Sequence, residues 1–397
     1  MLQGGQLLMA RGSRFFAALM VTIALMGTLE LVSQTTASAP AGAALPGTAM
    51  ALQEFVNDGA NGRAWNAYDD TAASAGPAID GRPSPIAYQL TSTVHIYARA
   101  ANGDLTEFIN DGANHRLWNS YNLTQITQGP TIAGDPDATF YGPVVHVYGE
   151  ASNGDLIEFV NDGSGGRLWN SYDLTQIAAG PALGGDATPI VNGSVDRIFA
   201  RTSGGDLVEY INDGANGQLW NAYDLTTLSS GPEIAGDPNA VLIGSTVHVY
   251  AISATGDLVE FAGSGQSWTA TDLTAATSGP TLTGRPSPVV DQGIIDVFTR
   301  ATNGSLTEYS DNNGGNLWNS YTLAGPNMAG DPSAITDGNA IQVYVQAVGG
   351  DLTEFANPSG AGQSFATTDL THTAGGPAIG SDPGALLYLG TTVHVYA

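Results

Sequence analysis

The chain has 397 residues, 37 of them acidic and 11 basic, and its net charge is −26. An acidic surface of this strength repels phosphate backbones and anionic lipid, so nucleic acid and membrane surfaces are disfavoured as partners. It also keeps a secreted protein soluble, which is the simpler interpretation. The sequence contains no cysteine, which excludes a disulfide framework and a thiolate metal site.

The N-terminal segment has the order of regions found in a secretory signal peptide. Arg11 and Arg14 precede an apolar run over residues 15–29, and a stretch of small residues follows over 35–44. A basic start, an apolar middle and a small-residue end are the features of a cleaved export signal. We therefore predict a protein that is secreted or held at the cell surface.

Two positions in the small-residue stretch fit a cleavage site. Ala37-Ser38-Ala39 has the A-x-A form and residues 41–43 offer a competing site, so cleavage is expected near residues 39–43. The alternative is an uncleaved membrane anchor, but Glu30 ends the apolar run short of the roughly 20 residues that a spanning helix needs. The prediction is a signal peptide over 1–43, no membrane insertion after cleavage, and one domain over 44–397.

One unit repeats from about residue 50 onwards, with a period of about 46 to 53 residues. A period in this range is typical of propellers, solenoids and arrays. Each unit contains a Leu-x-Glu-Phe/Tyr core or a close variant of it, with the glutamates Glu54, Glu107, Glu158, Glu209, Glu260, Glu308 and Glu354. An aromatic residue follows each core, namely Trp65, Trp118, Trp169, Trp220, Trp268, Trp318 and Phe365. A Gly-Pro pair then leads to the next unit.

Each unit is predicted to form four short strands separated by turn signals. In the unit over 134–175 the strands are predicted at 138–141, 144–149, 156–161 and 167–174. No segment after the signal peptide has an apolar period of 3.6 over a useful length, so no helix is predicted there.

The two ends of the repeat predict how the fold closes. Residues 51–55 correspond to the third strand of a unit and 392–397 to the second, so the two partial units complete each other. A closed ring requires this, whereas an open solenoid would need polar capping units. We predict an all-β fold, a seven-bladed β-propeller of four-stranded blades, closed by N-terminal strands 3–4 pairing with C-terminal strands 1–2. The predicted units are about 80–124, 134–175, 185–226, 236–274, 284–323, 330–370, and 380–397 joined to 50–71.

A polar residue accompanies every repeated glutamate, twelve positions earlier within a unit. A buried carboxylate is costly without partners. Either the glutamates therefore accept structural hydrogen bonds between blades, or the pairs bind a small polar ligand. The candidate ligand-binding pairs are Arg197–Glu209, His95–Glu107, His146–Glu158, His248–Glu260 and, across the ring closure, His394–Glu54. Asp296–Glu308 and Gln342–Glu354 occupy the same positions.

The loop between the second and third strands decides whether such a pair can form. With a two-residue loop, Asn102-Gly103, the side chains of His95 and Glu107 point to opposite faces of the sheet. With a three-residue loop, Ala101–Gly103 with Gly103 left-handed, they are diagonal neighbours on one face. The sequence leaves both loops open.

The repeated pattern Val-His-Val-Tyr … Asn-Gly-Asp-Leu-x-Glu-Phe … Asp-Gly … Trp, followed by Gly-Pro, resembles the fucose-binding β-propeller lectins. These comprise the fungal fruiting-body type and its seven-bladed bacterial relatives, and the copy at 296–306 is most similar to the bacterial branch. The likeness covers nearly all of residues 50–397. It implies that sugar binds between adjacent blades, held by an Arg, a Glu about a dozen positions later, and an aromatic ring of the next blade. Only Arg197 with Glu209 matches that Arg–Glu pair, because the other blades carry His, Asp or Gln instead of Arg.

Two further repeated features have competing interpretations. Tryptophans at a fixed propeller position usually pack between blades, which their apolar area favours; stacking on sugar is the alternative, with Trp169 and Trp220 as candidates. The Asn-Asp-Gly loops that begin at Asn57, Asn110, Asn161 and Asn212 indicate turns rather than calcium sites, because they lack the acidic ligand series of an EF-hand. We predict no metal and no cofactor.

An enzyme is disfavoured because a catalytic site is one asymmetric constellation, whereas this polar pair recurs. The residues that break the repeat, His115, His372, Arg82 and Arg285, are scattered along the sequence and form no recognised catalytic motif. The prediction is a secreted carbohydrate-binding protein with several weak sugar sites between blades and with glycans or glycoconjugates as partners. The alternative is an extracellular adhesion or scaffold propeller that binds protein; a glycan-active enzyme comes third.

Overall fold

The structure, a computed structural model, describes residues 50–88, 92–217, 219–311, 317–338, 340–358 and 364–397. The predicted signal peptide and its cleavage positions lie outside these residues. No helix within them has the length and apolar character to cross a membrane.

The described strands form seven antiparallel sheets of four strands each. The first two strands are β1 (Gln53–Val56) and β2 (Asn66–Asp69). Blade 1 follows with β3 (Ser84–Tyr88), β4 (Thr93–Arg99), β5 (Leu105–Ile109) and β6 (Asn119–Asn122). Blade 2 has β7 (Asp137–Tyr141), β8 (Val144–Glu150), β9 (Leu156–Val160) and β10 (Asn170–Asp173), and blade 3 has β11 (Leu183–Asn192), β12 (Val195–Thr202), β13 (Leu207–Ile211) and β14 (Asn221–Asp224).

Three more blades follow in the same order. Blade 4 has β15 (Asn239–Ile243), β16 (Thr246–Ile252), β17 (Leu258–Ser264) and β18 (Ser267–Asp272). Blade 5 has β19 (Leu282–Asp291), β20 (Ile294–Ala301), β21 (Leu306–Asp311) and β22 (Trp318–Thr322), and blade 6 has β23 (Ser333–Asp337), β24 (Ala340–Gln346), β25 (Leu352–Asn357) and β26 (Ala366–Asp369).

Blade 7 joins the two ends of the propeller. Its sheet has the order β2–β1–β28–β27, where β27 is Gly384–Tyr388 and β28 is Thr392–Tyr396. Phe55 of β1 pairs with Val395 of β28. The first strand of every blade also contacts the first strand of the next, from β3 through β7, β11, β15, β19, β23 and β27 back to β3. The predicted seven-bladed β-propeller and its closure are therefore confirmed.

The two faces of each sheet pack against different neighbours. In blade 1, Tyr97 lies on the face toward blade 2 and contacts Trp169, whereas Phe108 and Trp118 lie on the face toward blade 7. Successive residues of a strand point to opposite faces, which produces this division. We call the contact between a blade and the following one a junction and number it by the first blade, so blades 7 and 1 meet at junction 7.

The prediction that no helix follows the signal peptide is wrong. Six five-residue helices follow the fourth strands, at α1 (Asp70–Ser74), α2 (Leu123–Thr127), α3 (Leu174–Ala178), α4 (Leu225–Ser229), α5 (Leu273–Thr277) and α6 (Leu370–Ala374), among the described residues. An Asp or Asn caps each one; Asp69, for example, accepts a hydrogen bond from the backbone N–H of Ala72. Four 3-10 turns also occur, at Ala60–Gly62, Ala113–His115, Ser164–Gly166 and Ala215–Gly217.

The first residue of each helix faces the core, and α1 departs from the others. Five helices begin with a leucine that is fully buried, namely Leu123, Leu174, Leu225, Leu273 and Leu370. Asp70 takes this position in α1 and is also fully buried. Neither of its carboxyl oxygens has a hydrogen-bond partner among the residues that the structure describes. Burial raises the pKa of Asp70 well above its ordinary range, and the charge of Glu54 adds to the shift.

The glycine of the Gly-Pro pair allows the chain to pass close to the following blade. A Cβ atom on Gly76 would lie 2.5 Å from Cε1 of Phe108, and one on Gly376 would lie 2.7 Å from Cε1 of Phe55. Both rings are fully buried. The repeated glycine is therefore explained by the aromatic core residue of the neighbouring third strand.

Candidate functional site

The loop between β4 and β5 places the predicted polar pair on one face of blade 1. The backbone N–H of Ala100 donates to the carbonyl of Asp104, and Gly103 adopts a φ of 86° between them. This is the three-residue loop with a left-handed glycine. His95 pairs with Ile109 and Tyr97 with Glu107, so His95 and Glu107 are diagonal neighbours facing junction 1.

The structure brings each predicted pair into contact. Histidine Nδ1 lies 2.7 Å from glutamate Oε1 in His95–Glu107 and His146–Glu158, 2.8 Å in His248–Glu260 and 2.6 Å in His394–Glu54. Nη1 of Arg197 donates to Oε1 of Glu209 at 2.8 Å. The His394–Glu54 contact joins the two ends of the propeller and needs blade 7 to be assembled.

A tyrosine completes most of these pairs, and the sequence analysis did not identify it. Two residues after His95, the hydroxyl of Tyr97 donates to the same Oε1 of Glu107 at 3.0 Å. The same contact is made by Tyr148, Tyr250, Tyr344 and Tyr396. The signal was present in the Val-His-Val-Tyr pattern, because residues i and i+2 of a strand share a face.

The glutamates are buried and the histidines are partly accessible. Side-chain exposure is 7% for Glu107 and Glu158, but 15% for His95 and 14% for His146. Two donors on one carboxylate oxygen are what a structural role for the glutamate predicts. The exposed edge of the histidine, in contrast, is the part of the pair that a ligand can reach. The geometry of the pair is therefore compatible both with a structural role for the glutamate and with ligand binding by the histidine.

Junction 3 holds the one candidate pair with a guanidinium group. Glu209 is fully buried and the side chain of Arg197 is 9% exposed. Burial raises the pKa of Glu209 to about 7, although Arg197 opposes the shift. Phe199 replaces the tyrosine here, so the hydrogen bond to this carboxylate comes from Arg197.

Junction 5 has two carboxyl groups in the same positions. Burial raises the pKa of Glu308 to about 8, and the charge of Asp296 contributes. Burial also raises the pKa of Asp296 to about 6. Oε2 of Glu308 has no hydrogen-bond partner within the described part of the chain. Phe298 again replaces the tyrosine, and the raised pKa of Glu308 means that this glutamate, rather than a neighbouring cation, carries the neutralising proton at pH 7.

The two tryptophan candidates lie in the packing between blades. Trp169 and Trp220 are each 4% exposed. Trp169 meets Tyr97 edge to face with ring centroids 6.0 Å apart, and Trp220 belongs to the core cluster of Tyr148. Burial favours the packing interpretation, and a contact of either ring with a ligand stays a prediction.

A second set of tyrosines, which sequence reasoning missed, lies beside three of the histidines. Tyr88, Tyr141 and Tyr388 are partly buried residues of first strands. Their ring centroids lie 6.4, 5.9 and 5.5 Å from those of His95, His146 and His394. Each hydroxyl donates to a backbone carbonyl of the next blade, as Tyr141 does to Ser194 at 2.9 Å. These bonds hold the rings at the edge of junctions 1, 2 and 7.

Two of the residues that break the repeat meet in the central channel. Nη2 of Arg285 donates to Asp137 at 2.8 Å, and Nη2 of Arg82 lies 3.6 Å from the same carboxyl oxygen. They line a cavity of about 250 Å³. Although burial opposes it, Arg285 and Arg82 hold the pKa of Asp137 below its ordinary value. The other two, His115 and His372, are exposed.

The Asn-Asp-Gly loops have the geometry of turns. In the first of them, Oδ1 of Asp58 accepts from the backbone N–H of Ala60 and from Nδ2 of Asn66, and Oδ2 accepts from the hydroxyl of Tyr68. The following glycine, Gly59, has a φ of 65°. Side-chain and backbone donors therefore occupy the carboxylate oxygens that calcium would need.

No protein-family model and no curated protein match the chain in sequence. Solved structures match it in fold. The BP39L lectin from Burkholderia pseudomallei is 16% identical, with a TM-score of 0.56 over 78% of this chain and 94% of that one. AofleA from Arthrobotrys oligospora is 16% identical, with a TM-score of 0.48 over 73% and 87%. The fucose-specific lectin from Aleuria aurantia is 20% identical, with a TM-score of 0.46 over 72% and 94%. The chain therefore has the fold of a propeller lectin, which confirms at the level of the fold the resemblance that its repeat indicates.

Proposed function

We propose that this protein is a secreted carbohydrate-binding propeller whose sugar sites lie at the junctions that combine a His–Glu pair with a tyrosine ring. The observation that carries the proposal is the recurrence of this combination at junctions 7, 1 and 2. Sugars present hydroxyl groups beside apolar C–H faces, so a site for them combines polar donors and acceptors with an aromatic surface.

Each residue has a role that follows from its position. The glutamate fixes the histidine ring through Nδ1, and the accessible edge of the ring exchanges hydrogen bonds with sugar hydroxyls. The tyrosine at the edge of the junction, Tyr88 at junction 1, offers its ring to the apolar face of the sugar. Weak sites of this kind gain by repetition, since simultaneous engagement raises avidity by about 10²–10⁴ on a multivalent surface.

The remaining predicted pairs form a second group. Arg197–Glu209 supplies a guanidinium donor, but Asn192 takes the place of the tyrosine there. His248–Glu260 has a histidine, but Ile243 takes that place. We propose that these two junctions bind sugar more weakly. Because the polar pair recurs around the ring, the proposal is one of binding and not of catalysis.

The test is a glycan-array screen of the full chain beside two variants. The triple variant His95→Gln, His146→Gln, His394→Gln removes the imidazoles from all three proposed sites. The single variant His248→Gln is the matched control. That histidine has the same glutamate and tyrosine partners as the others, but an isoleucine takes the place of the first-strand tyrosine whose ring lies beside them. We expect binding to one sugar class, at least about 10-fold weaker in the triple variant and reduced far less in the control, which removes one of the weaker sites.

A specific observation favours a second function, a scaffold that binds protein. The glutamates accept two hydrogen bonds on one oxygen and are buried, as structural residues are. On that reading the folded, monodisperse protein binds no glycan, and the triple variant loses thermal stability instead. Glycan binding that the triple variant retains in full contradicts the proposed sites.

A further inference from the structure

Junction 2 has a buried acidic residue at a position where the other six junctions have an aliphatic one. Asp196, on β12 of blade 3, points toward blade 2 and is 2% exposed. Its counterparts at the other junctions are all apolar, namely Val94, Val145, Val247, Ile295, Ile341 and Val393. A carboxyl group in a position that otherwise holds a core aliphatic residue needs a specific partner.

The residues around Asp196 form a compact set of metal-binding atoms. Nδ1 of His146 lies 2.7 Å from Oε1 of Glu158 and 3.8 Å from Oδ2 of Asp196. The ligand atoms of the three residues all lie within 4.8 Å of one another. Within the described ranges, this is the one group of three His, Asp or Glu residues that meets this condition.

Within the described part of the chain, the neighbours of this set provide a hydrogen bond but no arginine. The hydroxyl of Tyr148 donates to Oδ2 of Asp196 and, at 3.2 Å, to Oε1 of Glu158. Oδ1 of Asp196 has no hydrogen-bond partner among the described residues. Arg197 lies on the opposite face of β12, where its guanidinium pairs with Glu209. Among the residues that the structure describes, no arginine therefore pairs with these two buried carboxyl groups.

We propose that junction 2 is a site for one divalent transition-metal ion, Zn²⁺ in particular, with His146 Nδ1, Glu158 and Asp196 as its protein ligands. One imidazole and two carboxylates are common zinc ligands, and three protein ligands leave a fourth position for water or another oxygen donor. Two carboxylates and a neutral imidazole also balance the charge of the ion. The sequence analysis expected no metal and did not consider Asp196, which comes from the neighbouring blade.

The two distances that involve His146 need only small movements. Tetrahedral zinc bonds of about 2.0–2.2 Å hold ligand atoms about 3.3 Å apart. The His146–Glu158 contact would therefore open by about 0.6 Å, and the His146–Asp196 distance would shorten by about 0.5 Å. Nδ1 would offer its lone pair to the ion, which places the ring proton on Nε2.

The blades offer matched variants for the test. Asp196→Val places at junction 2 the residue that most other blades have, so the fold is expected to persist. Val145→Asp makes the reciprocal change at junction 1, where His95, Glu107 and Tyr97 repeat the rest of the site. The experiment is isothermal titration of the chelator-treated full chain with zinc chloride, with calcium chloride as a comparison.

The expected stoichiometry is one zinc ion per chain for the natural protein and two for Val145→Asp. Asp196→Val should weaken zinc binding by at least about 100-fold, since it removes a direct ligand and loss of outer partners alone costs 10- to 100-fold. Cobalt bound at the same stoichiometry should show the visible absorption of tetrahedral Co²⁺. Absence of stoichiometric zinc binding overturns the proposal. Equal binding by the natural protein and Asp196→Val also overturns it, because the ion then occupies another place such as the exposed His115 or His372.

Discussion

Junctions 3 and 5 bury a glutamate in the same position of the same strand and stabilise it in opposite ways. At junction 3 the partner is Arg197, which donates to Glu209 at 2.8 Å. At junction 5 the partner is Asp296, a second acid, and the pKa of Glu308 rises to about 8. The first glutamate is neutralised by a cation and the second by a proton.

The two junctions show that the repeat keeps the positions of the side chains around the glutamate but not their chemical type. Both junctions replace the tyrosine of the other blades by phenylalanine, Phe199 and Phe298. With histidine or Gln342 as the partner, a tyrosine hydroxyl donates to the glutamate; with arginine or aspartate it does not. The two strand positions therefore vary together, as expected for side chains that share one acceptor.

The largest effect is expected from breaking the pair at junction 3. Arg197→Met removes the cation and leaves Glu209 buried without a partner, which should lower the free energy of unfolding by about 3 kcal/mol. The loss should be greatest above pH 7, because the pKa of Glu209 is already raised to about 7 and protonation relieves it. Urea unfolding at two pH values measures both.

The control is the double variant Arg197→Met, Glu209→Leu, which replaces the pair by apolar side chains of similar size. Such replacements are often close to neutral, so most of the lost stability should return. A double variant as unstable as the single one would show that the shape of the arginine, and not its charge, matters at junction 3.

The next effect is a pH dependence centred on junction 5. Folded Glu308 keeps its proton to a pKa of about 8, whereas the unfolded chain releases it near the ordinary value of 4.5. The folded state therefore binds more protons in this window, and stability falls as the pH rises from about 4.5 to 8. Glu308→Gln cannot ionise and should reduce this fall by a few kcal/mol. If stability falls equally steeply with pH in the two proteins, a group other than Glu308 takes up the proton.

A third buried acid extends the comparison, because Asp70 has neither a cation nor a hydrogen-bond partner among the described residues. Asp70→Leu introduces the residue that begins the other five helices and should raise the free energy of unfolding by about 1–2 kcal/mol at neutral pH. Leu123→Asp in α2 is the reciprocal control and should destabilise. A loss of stability in Asp70→Leu would mean that the carboxyl group has a structural partner.

The smallest effect is expected from making a histidine junction resemble junctions 3 and 5. Tyr97→Phe removes the hydroxyl that donates to Glu107 and leaves the ring packed against Trp169. The loss should be about 1 kcal/mol, the net value of one such bond. Thermal unfolding with the matched variant Phe199→Tyr, which adds a hydroxyl at junction 3, separates the bond from the ring. If Tyr97→Phe loses no stability, the hydrogen bond that stabilises Glu107 is the one from His95.

The sequence predicted the ring and its closure because both follow from a repeat with complementary ends. It also predicted which residue accompanies Glu107, but not whether the two touch. That depended on one loop residue, Gly103, whose left-handed conformation is as compatible with a two-residue turn as with a three-residue one. The helices were missed because a five-residue segment such as Asp70–Ser74 is too short to show a period of 3.6.

The departures from the repeat that matter most for the junctions could not be recognised from the sequence for a different reason. Asp196 and Asp70 are single departures from apolar positions, and the tyrosine that donates to Asp196, Tyr148, lies 48 residues earlier in the sequence. Aligning the units column by column would reveal that Asp196 stands among valines and isoleucines. It would not reveal that the residue faces His146 of the preceding blade, because that requires the order of blades in space.

The pairing of β1 with β28 has a consequence for the synthesis of this protein. The contact between Glu54 and His394 spans 340 residues, so β1 emerges from the ribosome long before its partner strand exists. Until then β1 and β2 form a two-stranded hairpin, which is marginally stable alone and presents an open edge. Blades 1 to 6 have their own strands in sequence order and can form as they emerge. Of the strands in the ring, β28 is the last to be made, and it therefore decides whether the ring closes or remains open to association with another chain.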